Sequence, residues 1–398
     1  MRALREASSA LHVYAAILGV CHALTGLAWF AYKNVATLVT GEDCVCWPVI
    51  PGCGAIRSAL SEGGARAAVW LYVALGLLSA ALYLARRARA ATGAFLAATL
   101  LGTAIYALDY RLRLNQTYML GCVVVAFFAA PKKPQVLQAL VALFYFWAGT
   151  LKANREWLSG AALYAKPWLV PDALIPASCA YVLLLEMVLV WGLFAPRAWV
   201  RWCVYAQLLV FHAASWPVVG WFYPLLMLGL TAIYPLVWAL APEETLTWAT
   251  LRSDRGTLRP VLATCALFSA LQLVPLAFPG DTALTGEGRL FALHMFDARV
   301  ECEGGATLES SAGLRSHLTL INDHLDTRTR CDPIVLLATA KRVCPLLANR
   351  PDRVRVDVTI DAKRTTGDAL QPLVRIDDLC NREIDYSPWR HNAWIEAR

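Results

Sequence analysis

At 398 residues the chain is 58% hydrophobic, with a mean hydropathy of +0.49, and only 16% of its residues are charged. Soluble domains carry about 25% charged residues, so an ordinary soluble globule is a poor description and an integral membrane protein a good one. The net charge of +7 is uneven: residues 1–279 hold 20 Lys and Arg against 11 Asp and Glu, whereas residues 280–398 hold 16 against 18. The basic excess lies between apolar stretches, where it orients helices, and argues for membrane lipid and against nucleic acid as a partner.

Nine apolar stretches are expected to span a membrane: 11–32, 67–85, 91–109, 118–130, 136–151, 176–195, 198–215, 217–241 and 259–278. The first follows a short basic run at 1–7 and ends in no small-residue cleavage pattern, so it reads as a retained helix and not a signal peptide. The fourth and fifth are short, and Pro131-Lys-Lys-Pro134 between them reads as a tight turn joining antiparallel helices. With the N-terminus inside, twelve basic residues fall in cytoplasmic segments, among them Arg86, Arg87 and Arg89, against eight in the opposite loops. This bias orients the chain in the cell (inner) membrane with residues 280–398 extracytoplasmic. Cysteine placement agrees, because Cys44, Cys46, Cys53, Cys302, Cys331, Cys344 and Cys380 all fall on the exported side. Disulfides are expected there, with one cysteine left over and the connectivity open. The fold class that follows is an all-α polytopic membrane bundle (1–279) with a small extracytoplasmic α+β domain (280–398). In that domain 290–302, 318–321 and 353–360 read as strands, the last by polar/apolar alternation, and 335–347 as a helix.

Ionisable and polar residues inside apolar stretches are the functional candidates of a membrane chain. Lys152 is the first charge met at the end of the fifth stretch. It has two readings. A lysine at a helix end commonly snorkels to headgroup water. Held out of water instead, its amine becomes a base that works near neutral pH. His212, the Asn115-Gln-Thr-Tyr118 run and Glu186, set deep in the sixth stretch, complete the group. A buried Glu186 must be paired or protonated. The other histidines have no useful metal-ligand spacing, so no metal is expected.

Ala148-Gly-Thr-Leu-Lys-Ala-Asn-Arg-Glu-Trp-Leu-Ser-Gly160 resembles a segment of the vitamin K-dependent γ-glutamyl carboxylases and their bacterial relatives, the horizontally transferred transmembrane (HTTM) family. Asn115 with Tyr118, Glu186, Phe211-His212 and His294-Met-Phe296 fit the same resemblance. It implies that Lys152 is the base, assisted by His212, and that Asn115, Gln116, Tyr118, Trp157 and Glu186 line a substrate or cofactor site. The cofactor implied is reduced vitamin K or menaquinol, a lipophilic quinol. Its oxidation by O2 produces the base that lets CO2 add to a glutamate of a secreted protein or peptide. Gln116 departs from the family, which has a histidine at that position; glutamine hydrogen-bonds but cannot shuttle a proton. The large propeptide-recognising region of the animal enzyme also has no counterpart. Two other readings stand beside the enzyme: a membrane maturation factor for a secreted peptide or toxin, as in sporulation-delaying systems, and a scaffold without catalysis.

Overall fold

A computed structural model of the chain describes residues 9–33, 45–50, 53–295, 299–321, 327–348 and 354–396. The chain is mostly helical, with a small sheet near its C-terminus. Among the described residues, eight helices are long and apolar enough to cross a membrane: α1 (Ser9–Lys33), α2 (Glu62–Leu84), α3 (Ala88–Leu108), α5 (Lys133–Lys152), α6 (Asp172–Phe194), α7 (Ala198–Val219), α8 (Phe222–Leu240) and α9 (Arg255–Ala277). The fourth expected span, already short in sequence, starts three residues earlier than expected and is still short of a full crossing. It forms α4 (Asn115–Ala129), whose 15 residues reach only about 22 Å at 1.5 Å per residue, less than the ~30 Å of a bilayer core.

The fifth stretch, short in sequence, becomes the most enclosed of the eight. Its helix begins at the Pro131–Pro134 turn, where Lys132 takes a left-handed conformation (φ 51°) and Pro134 occupies the first turn. Lys133 Nζ caps α4 by donating to the carbonyls of Phe128 (3.0 Å) and Ala130 (3.1 Å). Close helix contacts rest on small residues. A Cβ on Gly19 of α1 would come within 2.7 Å of the Gly76 carbonyl in α2, and the converse holds for Gly76.

The loops sort to two ends. At one end, Trp47 Nε1 donates to the Tyr106 carbonyl (2.8 Å) and Tyr110 Oη to Asp332 (2.9 Å), while Glu156 meets Arg364 (3.1 Å). Tyr110 of the loop after α3 and Glu156 of the segment after α5 therefore meet the C-terminal region. At the other end Gln138 Nε2 donates to the Glu244 carbonyl (3.2 Å) and Lys132 approaches Asp254 (3.9 Å). Val45, Trp47 and Tyr110 even join the apolar core of the C-terminal sheet.

That sheet is antiparallel in the order β2–β1–β3–β4, formed by β1 (Val300–Ser310), β2 (Arg315–Thr319), β3 (Val354–Arg364) and β4 (Gln371–Ile376). In β3, Val356, Val358, Ile360 and Ala362 point inward while Arg355 and Thr359 are exposed, as alternation requires. Two helices, α10 (Pro333–Lys341) and α11 (Val343–Leu347), stand where one was expected. Disulfides link Cys46–Cys53, Cys302–Cys331 and Cys344–Cys380; Cys44 and Phe296 lie outside the described residues.

The strand expected at 290–302 starts only at Val300. Residues 289–295 instead form an irregular segment whose backbone is received by side chains of the bundle. Arg113 donates to the carbonyls of Arg289, Leu290 and Ala292, Tyr118 Oη to Phe291 (2.6 Å), and Gln272 Oε1 accepts from Leu293 N (2.8 Å). Irregular backbone packed against a bundle persists only where its polar groups are satisfied.

Candidate functional site

Lys152 is the last residue of α5 and is 1% exposed. Its Nζ lies 2.6 Å from both carboxylate oxygens of Glu186, so the snorkelling reading fails. Glu186 is fully buried on α6, and the two helices come this close because Gly149 lies one turn before the lysine. A Cβ at Gly149 would sit 2.7 Å from Met187 Cγ and 3.0 Å from Glu186 Cβ. Burying two charges is costly, and the pair persists because each neutralises the other at hydrogen-bond distance. The amine also lies over the rings of Trp157 (5.3 Å) and Phe211 (5.8 Å).

A short helix, Arg155–Ser159, follows the lysine and fixes Trp157. Asn154 caps it by accepting from Trp157 N (2.8 Å), and Gly160 ends it at φ 82°, a conformation that favours glycine. Trp157 Nε1 donates to the Cys179 carbonyl of α6 (2.9 Å). The indole is thus held edge-on to α6 with its face toward the amine.

The amine opens onto a cavity of about 710 Å³ between α6 and α7, reached also by Asn115, Gln116 and Trp157. Its wall is mainly apolar and aromatic, with Val182, Val210, Phe211 and Tyr223 among its residues. Tyr181 and Val210 line it and are also exposed on the outer face of the bundle. Tyr181 Oη donates to Gln207 Oε1 across the gap between the two helices.

The structure brings Lys152, Glu186, Trp157, Asn115 and Gln116 to this site, with Glu186 behind the amine and not on the cavity wall. Asn115 is held by the backbone of His294: its Oδ1 accepts from His294 N (2.7 Å) and its Nδ2 donates to the His294 carbonyl. Tyr118 turns away, to Phe291 and Gln272. His212 lies behind the wall, 2.6 Å from Tyr145 Oη, with its ring beside Phe211 and Tyr223. Its Nδ1 has no partner among the described residues.

Sequence reasoning missed Gly149, and it assigned His294 no role of its own although the residue reaches the cavity wall. A small residue one turn before a buried lysine is a usable signal for the first; nothing local marks the second. Compared with known proteins, the chain matches no family model, no curated protein and no solved structure.

Proposed function

We propose that the protein is an integral membrane enzyme of the carboxylase-like HTTM type, with Lys152 and Glu186 together accepting a proton from a hydroxyl of a lipophilic quinol. One observation carries the reading: a buried amine, paired with a buried carboxylate, faces a large apolar cavity. The cavity volume falls within the ~300–1,000 Å³ common for small-molecule sites. Trp157, Phe211 and Tyr223 offer faces to a flat ring, and Gln116, Gln207 and Lys152 offer polar contacts. A reduced naphthoquinol such as reduced vitamin K or menaquinol fits this lining, and when bound it supplies the redox chemistry with O2 that no side chain here can provide.

The proton balance follows from the pair. As a unit Lys152 and Glu186 are neutral, with one proton shared between groups that can both carry it. Taking a second proton from the ligand hydroxyl leaves the pair at +1 beside a ligand at −1. The two opposite charges arise next to each other in an apolar space, where their attraction is stronger than in water. The surrounding rings exclude water and keep the deprotonated ligand from recapturing a solvent proton. The end of the bundle that carries the disulfides is taken as extracytoplasmic, in line with the basic bias of the opposite loops.

The test is incubation of the purified protein in nanodiscs with menaquinol or reduced vitamin K, O2 and CO2. Quinone epoxide is expected from the wild type and not from Lys152→Arg, because arginine holds its proton. No epoxide from folded wild type with either quinol overturns the reading. Equal turnover by Lys152→Arg overturns the role of the lysine and favours the scaffold.

A further inference from the structure

A second, smaller chamber of about 160 Å³ lies against the first. It is lined by Tyr110, Arg111 and Arg113 from the loop after α3, by Leu114, and by Thr329 and Asp332 from the C-terminal region. The remaining lining residues, Asn115, Gln116 and His294, also line the Lys152 cavity, so they form a partition between the two. All but one of the lining side chains of the small chamber are polar. The space well exceeds the ~10–15 Å³ that one water needs, and a polar cavity of that size fills with water.

The partition has a matching chemistry. Asn115 is taken up by the His294 backbone, and the His294 ring is 2.8 Å from Arg113 Nη1 and from the Arg289 carbonyl. Gln116 lines both chambers, so its carboxamide can serve water on one side and a ligand on the other. Tyr110 Oη and Asp332, 2.9 Å apart, continue the polar lining into the C-terminal region.

We propose that the small chamber is a water-filled port, with Gln116 and His294 as its inner gate, joining the aqueous phase at the C-terminal end to the Lys152 cavity. It gives a proton gained at Lys152 and Glu186 a way out of the bundle. The inference rests on the two chambers and not on the identity of the ligand, and its test requires no turnover.

Gln116→Cys and, as a control in the apolar wall, Val182→Cys are reconstituted in liposomes. Both are treated with a membrane-impermeant sulfonated methanethiosulfonate or with permeant N-ethylmaleimide, and labelling is localised by peptide mass spectrometry. The charged reagent is expected to label Gln116→Cys at least about tenfold faster than Val182→Cys, and Thr329→Trp, which fills the chamber, to slow that labelling about tenfold. Labelling of Gln116→Cys by the maleimide alone, or a rate that Thr329→Trp leaves unchanged, overturns the port. If the variants do not fold, deuterium exchange at the imidazole C2 position of the wild type decides. His294 is expected to exchange well ahead of His212, and exchange as slow as that of His212 overturns the proposal.

Discussion

Two buried ion pairs in this molecule have the same formal charges and opposite designs. Arg111 and Asp109 are two residues apart and closed on each other at the edge of the small polar chamber: Oδ1 accepts from Arg111 N (2.8 Å) and Nε (3.2 Å), and Oδ2 from Nη2 (3.0 Å). Lys152 and Glu186 are 34 residues apart and join two helices, both oxygens crowd one ammonium, and that ammonium faces a cavity. The first pair uses the planar fork of a group that stays charged; the second uses a cation that can lose its proton. Burial alone therefore does not identify a reactive group. The chemistry of the cation and the space in front of it do.

The largest expected effect comes from breaking the open pair. Lys152→Ala leaves Glu186 as an uncompensated buried charge, which costs about 3–5 kcal/mol and abolishes turnover. Adding Glu186→Leu is expected to restore most of the thermal stability, since an apolar replacement of a buried pair is close to neutral, with turnover still absent. Next comes the conservative exchange in each pair. Lys152→Arg is expected to lower kcat by roughly 10²–10⁴, the usual contribution of a general base, with the fold retained. Arg111→Lys loses its fork geometry and some stability, and is expected to lower turnover per folded molecule far less than Lys152→Arg. Equal kinetic responses in the two exchanges would erase the distinction between the pairs.

Gly149→Ala sharpens the comparison from the helix side. The added methyl meets Met187 and Glu186, so overpacking is expected to cost about 1–3 kcal/mol and to lower turnover by displacing the carboxylate. Thermal unfolding together with initial rates reads both effects. The smallest effect belongs to an exposed pair in the sheet, Arg355 and Asp357 (2.8 Å). Partial burial acts to raise the Asp357 carboxyl, but the Arg355 guanidinium and the Asp378 backbone N–H outweigh it and hold the carboxyl below its usual range. Its contribution is present above the ordinary carboxylate range and is lost as pH falls through the depressed folded value. Asp357→Asn is expected to flatten that part of the acid unfolding profile without touching activity.

The helical bundle and the small sheet were legible in the sequence because long apolar runs and the alternation in β3 are local patterns. The number of full spans was less so: apolarity marks α4 as a helix but does not set its length, and the helix takes in the polar Asn115, Gln116 and Thr117 ahead of the apolar run. The segment at 289–295 reads as a strand because Leu290, Phe291, Ala292 and Leu293 are apolar. What decides its course is a set of side chains in the bundle, Arg113 and Tyr118 among them, more than 170 residues away. Lys152 and Glu186 were each visible as misfits in apolar stretches. Their pairing was not, because it depends on how α5 and α6 approach at Gly149.

Epoxide formation from menaquinol and O2 by folded wild type and by Lys152→Arg, assayed side by side in nanodiscs, bears most directly on the claim that a buried amine–carboxylate pair takes a proton from a lipophilic hydroxyl. The account expects product from the wild type and none above background from the variant. Identical product from both, or none from either, would contradict it.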